Sequence, residues 1–259
     1  MSDIHSTPAV VVGIDGSPAA RSAAVWAARE AAGRNLPLRL VHVIHASGDS
    51  GDPVDSIGTA RDALADARHA VEAAIPRRAA VKIEAETLRG NPLATLIDLS
   101  RSAAMVSVGS IGVTHSCHRA GSTAAALAGS ARCPVAVIRG GGAATRPGRI
   151  VAEVDASPDN GAVLDWAMAE AELRGVGLQV LASSTGLQHR IDHARQRHPR
   201  VPVDVVTDVD DVAQYLADCL AAEPDSVQLF VSGTRDRRSL GWAGQTGGCS
   251  VLTVGGAQW

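Results

Sequence analysis

Two glycine-bearing turns carry the residue types from which a phosphate and ribose site can be made. One is Gly13-Ile14-Asp15-Gly16-Ser17; the other is Gly109-Ser110-Ile111-Gly112, an eight-residue spacer, and Gly121-Ser122-Thr123. Glycine lets backbone approach a ligand closely, and the first N–H groups of a helix point outward at a positive dipole end. Such turns can cradle phosphates with no lysine present. Asp15, at the tip of the first apolar run, can accept a ribose hydroxyl. The same glycines also serve ordinary strand-to-helix turns that bind nothing, and spacing alone leaves both readings open.

Missing residues narrow the alternatives. Lys82 is the sole lysine among 24 basic residues, so no Gly-Lys-Ser/Thr phosphate loop exists. Any Schiff-base chemistry would fall to Lys82, inside the alternating, strand-like Val81-Lys82-Ile83-Glu84-Ala85-Glu86. No Gly-x-Ser-x-Gly, His-x-Gly-His or Ser-Gly-Gly-x-Asp-Ser occurs, which argues against a hydrolase or a nucleotidyl transferase. His115-Ser116-Cys117-His118 holds metal-ligand types, but ligands packed into four residues rarely converge and no fourth is in view. A solvated loop fits that segment better. His189 and His193 share a helix face without the glutamate of a zinc protease and read as a surface pair. Cys133, Cys219 and Cys249 read as small core residues, and Cys117 as an exposed loop thiol that its histidine neighbours could make reactive.

These residues need elements to position them, and the elements come twice. At an offset of 140, Val11-Val12-Gly13-Ile14-Asp15-Gly16-Ser17-Pro18 falls on Val151-Ala152-Glu153-Val154-Asp155-Ala156-Ser157-Pro158. The same ungapped register places Trp26 on Trp166, Glu30 on Glu170, Arg34 on Arg174 and Leu38 on Leu178. Asp, Ser-Pro and Trp kept at one offset mark a duplicated domain. The first copy reads as strand Ala9–Ile14, a helix capped by Ser17-Pro18 and running to about Gly33, and strand Leu38–Ile44. A loop over Ser47–Ser56 follows, then helix Ala60–Ala74, strand Val81–Thr87 and helix Pro92–Ser100. Strand Met105–Val108, helix Ser122–Ala131 and strand Val135–Ile138 complete it. Gly140–Gly148 is the linker, giving domains 1–140 and 149–259. The second copy repeats the order over Ile150–Val154, Pro158–Arg174, Leu178–Ala182, His189–Arg197, Val203–Val206, Val212–Ala221, Val227–Val231 and Ser250–Val254. Alternating strands and helices predict two tandem doubly wound, five-stranded parallel-sheet domains of Rossmann-like α/β type. Ligands on such sheets bind at strand carboxyl ends where the order reverses, which singles out the turns after strands one and four.

At these residues the chain resembles the universal stress protein family in its tandem form. Val108-Gly109-Ser110-Ile111-Gly112 and Gly121-Ser122 resemble its adenine-nucleotide signature Gly-x2-Gly-x9-Gly-Ser/Thr, and Gly13-Ile14-Asp15-Gly16-Ser17 resembles its opening Val-x-Asp-Gly-Ser. Val41-His42-Val43 and Cys133-Pro134-Val135-Ala136-Val137-Ile138 match its second and fifth strands. The resemblance implies ATP, with Mg2+, held by Gly13, Ile14, Asp15, Val43, Val108, Gly109, Gly112, Gly121, Ser122 and Thr123. It also implies a non-enzymatic stress or dormancy regulator with an unidentified regulatory protein partner, homo-oligomer formation, and pairing of the two domains through strands Val135–Ile138 and Val251–Val254. An ATPase reading lacks any general base beyond Asp15. A nucleotide-free interaction module of the same fold is the competing reading, since the spacer Val113–Ala120 is one residue short and glycine-free, with His115, His118 and Arg119 in it. Arg119 could partner a phosphate there.

The second copy departs further. Gly233-Thr234-Arg235-Asp236 replaces Gly-x2-Gly, and Asp236 adds a charge that repels phosphate. Gly109 to Cys133 spans 24 residues but Gly233 to Cys249 only 16, so the Gly-Ser helix start is lost. The second domain is expected to be degenerate and to bind no nucleotide.

Composition agrees with a globular chain: 259 residues, 46% hydrophobic, 20% charged, net charge -3. One Tyr (Tyr215), one Phe (Phe230) and four Trp leave no aromatic platform for bases, and no basic excess points to nucleic acid. No apolar run approaches the ~20 residues of a membrane span. Met1–Pro8 has no basic start with an apolar core, and no Cys-x-x-Cys occurs, so the expected compartment is the reducing cytoplasm.

Overall fold

The computed structural model describes residues 8–45, 53–76, 81–110, 122–140, 148–155, 160–183, 185–207, 209–223, 226–233 and 249–255. The chain forms two compact units. In unit 1, β1 (Val10–Gly13), α1 (Pro18–Arg34), β2 (Leu38–His45), α2 (Pro53–Ala74), β3 (Ile83–Gly90), α3 (Pro92–Leu99), β4 (Met105–Gly109), α4 (Ser122–Ala128) and β5 (Val135–Ile138) follow in order. All pairings are parallel, β2 with β3 and β1, β1 with β4, and β4 with β5, giving the order β3-β2-β1-β4-β5. Val10, Val11 and Val12 of β1 are buried, as a strand covered on both faces requires. Helix α1 packs on α2 and α3 on α4. The chain runs from β1 toward one edge through β3 and returns to the other side at β4, so the order reverses between β1 and β4.

Helix α1 shows how sequence sets position. Ser17 is its N-cap, accepting the Ala20 N–H at 3.0 Å on Oγ, and Pro18 pre-sets the first helical φ. Ala20, Ala23, Ala24, Ala27, Ala28 and Ala31 are all buried, and this small-residue stripe lets the helix lie close to the sheet. Three elements have a boundary that differs from the sequence reading by three residues or more. Helix α2 begins at Pro53 inside the expected loop, because a proline opens a helix readily. Strand β3 starts later than Val81 and continues to Gly90, because all of β2 from Leu38 to His45 pairs with it. Helix α4 stops at Ala128, where Gly129-Ser130 follows, instead of reaching Ala131.

Unit 2 repeats the plan: β6 (Arg149–Val154), α5 (Asn160–Arg174), β7 (Leu178–Ala182), α6 (Gln188–Arg197), β8 (Val203–Thr207), α7 (Val212–Ala222), β9 (Val227–Gly233) and β10 (Ser250–Val254). Its parallel pairings give β10-β9-β6-β7-β8. Phe230, Leu181, Leu216 and Val251 centre its core, with Tyr215 and Cys219 packed against it. The start of α5 expected at Pro158 lies outside the described residues. The duplication also reaches the interior: Glu30 and Glu170, which correspond at the 140 offset, are both fully buried and pair with Arg34 and Arg174 one turn on.

Candidate functional site

The reversal point of unit 1 is built mostly by backbone. Ile14 extends β1 by donating its N–H to the Val41 carbonyl at 2.8 Å, and its side chain is buried. Asp15 then stands exposed, with Oδ1 accepting the Ser17 N–H at 2.9 Å. Gly16 adopts φ +85°, a left-handed conformation that side chains disfavour, and its carbonyl accepts from Arg21 Nη1 at 3.4 Å. The carboxylate is therefore presented by a defined turn locked to the start of α1.

Strand β4 reaches the same place from the side. Val12 is level with Ser107, so Gly13 lies beside Val108, and a Cβ added to Gly13 would come within 3.2 Å of Val108 Cγ1 and of Leu96 Cδ1. Ser110 leaves β4 with its N–H donated to the Ile138 carbonyl at 2.8 Å. Gly13, Ile14, Asp15, Val108 and Gly109 are thus brought together. Val43, half-buried, lies on β2 two residues beyond the strand's bond to Ile14, and Thr123 is half-buried in the first turn of α4. Ser122 opens α4. Gly112 and Gly121 lie outside the described residues, as do His115, Cys117, His118, Arg119 and Asp236.

Gly109 has a structural reason of its own. A Cβ there would lie 2.7 Å from the Ala19 carbonyl carbon and 2.7 Å from the Ala20 nitrogen. The glycine is what allows the first turn of α1 to rest on the end of β4, whatever the site binds.

His42 was not singled out by sequence reasoning beyond its place in Val41-His42-Val43. Its Nδ1 is buried without a hydrogen-bond partner, and the ring lies near Ile14 and Asp15. Burial lowers its pKa below 6.5, outweighing the Ile14 backbone hydrogen bond and the Asp15 charge, which raise it. A polar residue inside the apolar run Leu40–Ile44 was the available signal. Because the folded state disfavours the proton, the neutral ring's contribution to stability is present above pH 6.5 and is lost as the pH falls toward the lowered folded value. Denaturant titrations from pH 7.5 to 5 are expected to show a shallower acid loss for His42→Gln than for the parent; parallel curves would remove His42 from this account.

The corresponding place in unit 2 is arranged differently. Asp155 Oδ1 accepts from Asn160 Nδ2 at 2.6 Å, while the Asp155 N–H donates to Asn160 Oδ1 at 3.0 Å. Asp155 is thereby engaged by a side chain of its own unit.

The remaining chemically suggestive residues are accounted for by packing or exposure. Burial pushes the Cys133 thiol up to about 12, so it is not nucleophilic near neutrality. Cys249 is buried and Cys219 half-buried. Lys82 pairs with Glu84 at 2.7 Å on the surface, just before β3. His189 and His193 are both exposed on α6. Among the described residues, no cluster of three or more His, Cys, Asp or Glu could hold a metal, and no helix is long and apolar enough to cross a membrane.

Two doubly wound parallel α/β units, with a glycine-flanked aspartate at the reversal point of the first, define a duplicated Rossmann-like protein. Its relatives narrow that class. A sequence model described as the universal stress protein family matches residues 8–139. A universal stress protein of Mycobacterium tuberculosis is 43% identical over 98% of this chain and 98% of its own. A second from the same organism is 38% identical, covering 98% of this chain and 99% of its own. A solved universal stress protein from Archaeoglobus fulgidus shares the fold with a TM-score of 0.74 at 13% identity, covering 95% of this chain and 96% of that one. The chain belongs to the universal stress protein family.

Proposed function

We propose that this chain is a cytoplasmic, non-enzymatic regulator of stress or dormancy responses. In this reading its first domain, residues 1–140, binds one adenine nucleotide, ATP with Mg2+, while the second, residues 149–259, serves as a structural partner. The observation that carries the reading is the turn that presents Asp15. Asp15 is exposed on a turn fixed to α1, beside Gly13 and Gly109 at the reversal point of the sheet. The residues present suit the ligand: a carboxylate can accept ribose hydroxyls, and Val43 and Val108 offer apolar surface to a base. The phosphates fall to Gly109, Gly112, Gly121, Ser122 and Thr123, through backbone N–H groups and two hydroxyls, and ATP brings its Mg2+ with it. Signalling runs through a regulatory protein partner and a homo-oligomer.

Calorimetry with ATP tests this. The parent is expected to bind one equivalent per chain, Asp15→Ala at least about tenfold more weakly, a change of ~1.4 kcal/mol, and Asp155→Ala as the parent does. Equal losses from both substitutions, or two equivalents bound, would defeat the assignment to one domain. The second reading, a nucleotide-free interaction module, is favoured by one observation, that helix packing alone accounts for Gly109. Protein purified without nucleotide and silent to ATP in calorimetry would establish it.

A further inference from the structure

Helices α2 and α6 hold the same place in the two copies, each crossing over to an edge strand. An arginine fixes the register of each. Arg68 Nη2 donates to the Ile83 carbonyl at 3.4 Å and Arg195 Nη2 to the Val203 carbonyl at 2.8 Å, where β3 and β8 begin. Ile83 pairs with Leu38 and Val203 with Leu178, which correspond at the 140 offset. Aligned on these arginines, the buried Ala60, Leu64 and Ala67 fall on the buried Leu187, Ile191 and Ala194. The inner faces of the two helices therefore match, and the outer faces do not. Asp62 and Asp66, both exposed, fall on His189 and His193, also exposed. Arg190 and Arg197 join the histidines, and at 3.6 residues per turn the four side chains leave α6 within an arc of about 100°.

These charges are neutralised only in part. Asp192 is held by Gln188 and Arg195, at 3.0 and 3.1 Å, and Arg197 pairs with Asp165 of α5. Among the described residues, His189, Arg190 and His193 enter no ion pair, and neither do Asp62 and Asp66. Like charges one turn apart repel, so the carboxylates of α2 gain from a cationic surface set against them.

We infer that the outer face of α6 is a docking surface for a second copy of this chain, whose α2 brings Asp62 and Asp66 against His189, Arg190 and His193. The shared four-residue spacing lets both carboxylates meet both imidazoles, whose N–H groups donate to them while Arg190 supplies opposite charge. A lone exposed ion pair contributes little, so the contact works as a set, reversibly and with strong dependence on salt. It gives a surface to the homo-oligomer of the reading above, on which it rests, and is independent of the nucleotide in that reading.

Sedimentation velocity of the full-length chain without nucleotide, over a wide concentration range, tests this. Asp62→Arg/Asp66→Arg turns α2 basic, so that both faces are cationic; Arg190→Glu/His193→Glu turns α6 acidic, so that both are anionic. The parent is expected to sediment faster as concentration rises, and added salt to reverse the effect. Each variant alone should associate at least about tenfold more weakly, and an equimolar mixture of the two should regain parent-like association. Sedimentation of the parent that is independent of concentration would overturn the inference. So would variants that associate as the parent does, or a mixture no better than either component. Should a double variant fail to fold, Asp66→Asn and His193→Gln take its place, each expected to weaken association about threefold; no change in either overturns the inference as well. ATP calorimetry on Asp62→Arg/Asp66→Arg should match the parent. Silence of both toward ATP would defeat the nucleotide reading alone and leave this contact standing.

Discussion

Replacing Gly109 by alanine is expected to cost about 3 kcal/mol, at the upper end of overpacking penalties, and to lower Tm by about 10 °C. Gly233→Ala, at the end of the equivalent strand of unit 2, is expected to stay within about 0.5 kcal/mol of the parent. The contrast follows from what each new methyl group meets. At Gly109 it would sit 2.7 Å from two backbone atoms of α1 and 2.9 Å from Ala19 Cβ. Side chains can rotate away from such an intrusion; a helix backbone has to move as a body. The start of α1 is held by the Ser17 cap, Pro18 and a buried run of alanines against the sheet, so displacing it disturbs the packing of the whole helix. At Gly233 the nearest atom among the described residues is Val163 Cγ2 at 3.9 Å, an ordinary contact. Paired thermal melts of the two variants decide the matter, and equal shifts would show that α1 moves without penalty. The result also bears on function. Weak nucleotide binding by a Gly109 variant would report a disturbed fold as readily as a lost phosphate contact, which makes Asp15 the cleaner probe of the site.

Gly109 illustrates what a sequence can and cannot reveal here. Its place after the fourth apolar run was legible, and so was its proximity to the turn after strand one, because strand order in doubly wound sheets follows from alternation and handedness. Its task was not. Glycine permits close approach, but sequence does not say whether a ligand or a helix is approaching. Asp15 and Asp155 show the same limit. Their correspondence is plain at the 140 offset, yet the bond from Asn160 to Asp155 is not, since the exchange of Ala20 for Asn160 looks like routine variation until the side chain is seen to fold back. His42 was visible as a polar residue in an apolar strand; that its Nδ1 lacks a partner is a property of three-dimensional packing. The shifted limits of β3 share one cause with these, since a strand ends where its neighbour stops pairing and not where its own composition changes.

The two copies have diverged in the residues that follow their first and fourth strands while keeping a charged pair in their interiors, and that pair should be among the most sensitive points of the chain. Glu30 has no exposed side-chain surface, and Arg34, 22% exposed, donates Nε to its Oε2 at 3.2 Å. Glu170 and Arg174 repeat the arrangement, with Glu170 again fully buried and Arg174 12% exposed. Each arginine is one turn on from its glutamate, a spacing that brings the two side chains onto the same helix face. Removing the arginine alone leaves a carboxylate desolvated and short of its partner, so Arg34→Met is expected to destabilise the chain by about 3 kcal/mol, the lower bound for breaking a buried pair. Arg174→Met should behave alike, because its glutamate is equally enclosed. The double variant Glu30→Leu/Arg34→Met removes the charge as well as its partner, and is expected to recover most of the loss, since apolar replacements of buried pairs are often neutral. Urea unfolding of the two single variants and the double variant separates the alternatives. A double variant no more stable than Arg34→Met would mean that the glutamate is kept for a bond of its own, and that the arginine is not what makes its burial tolerable.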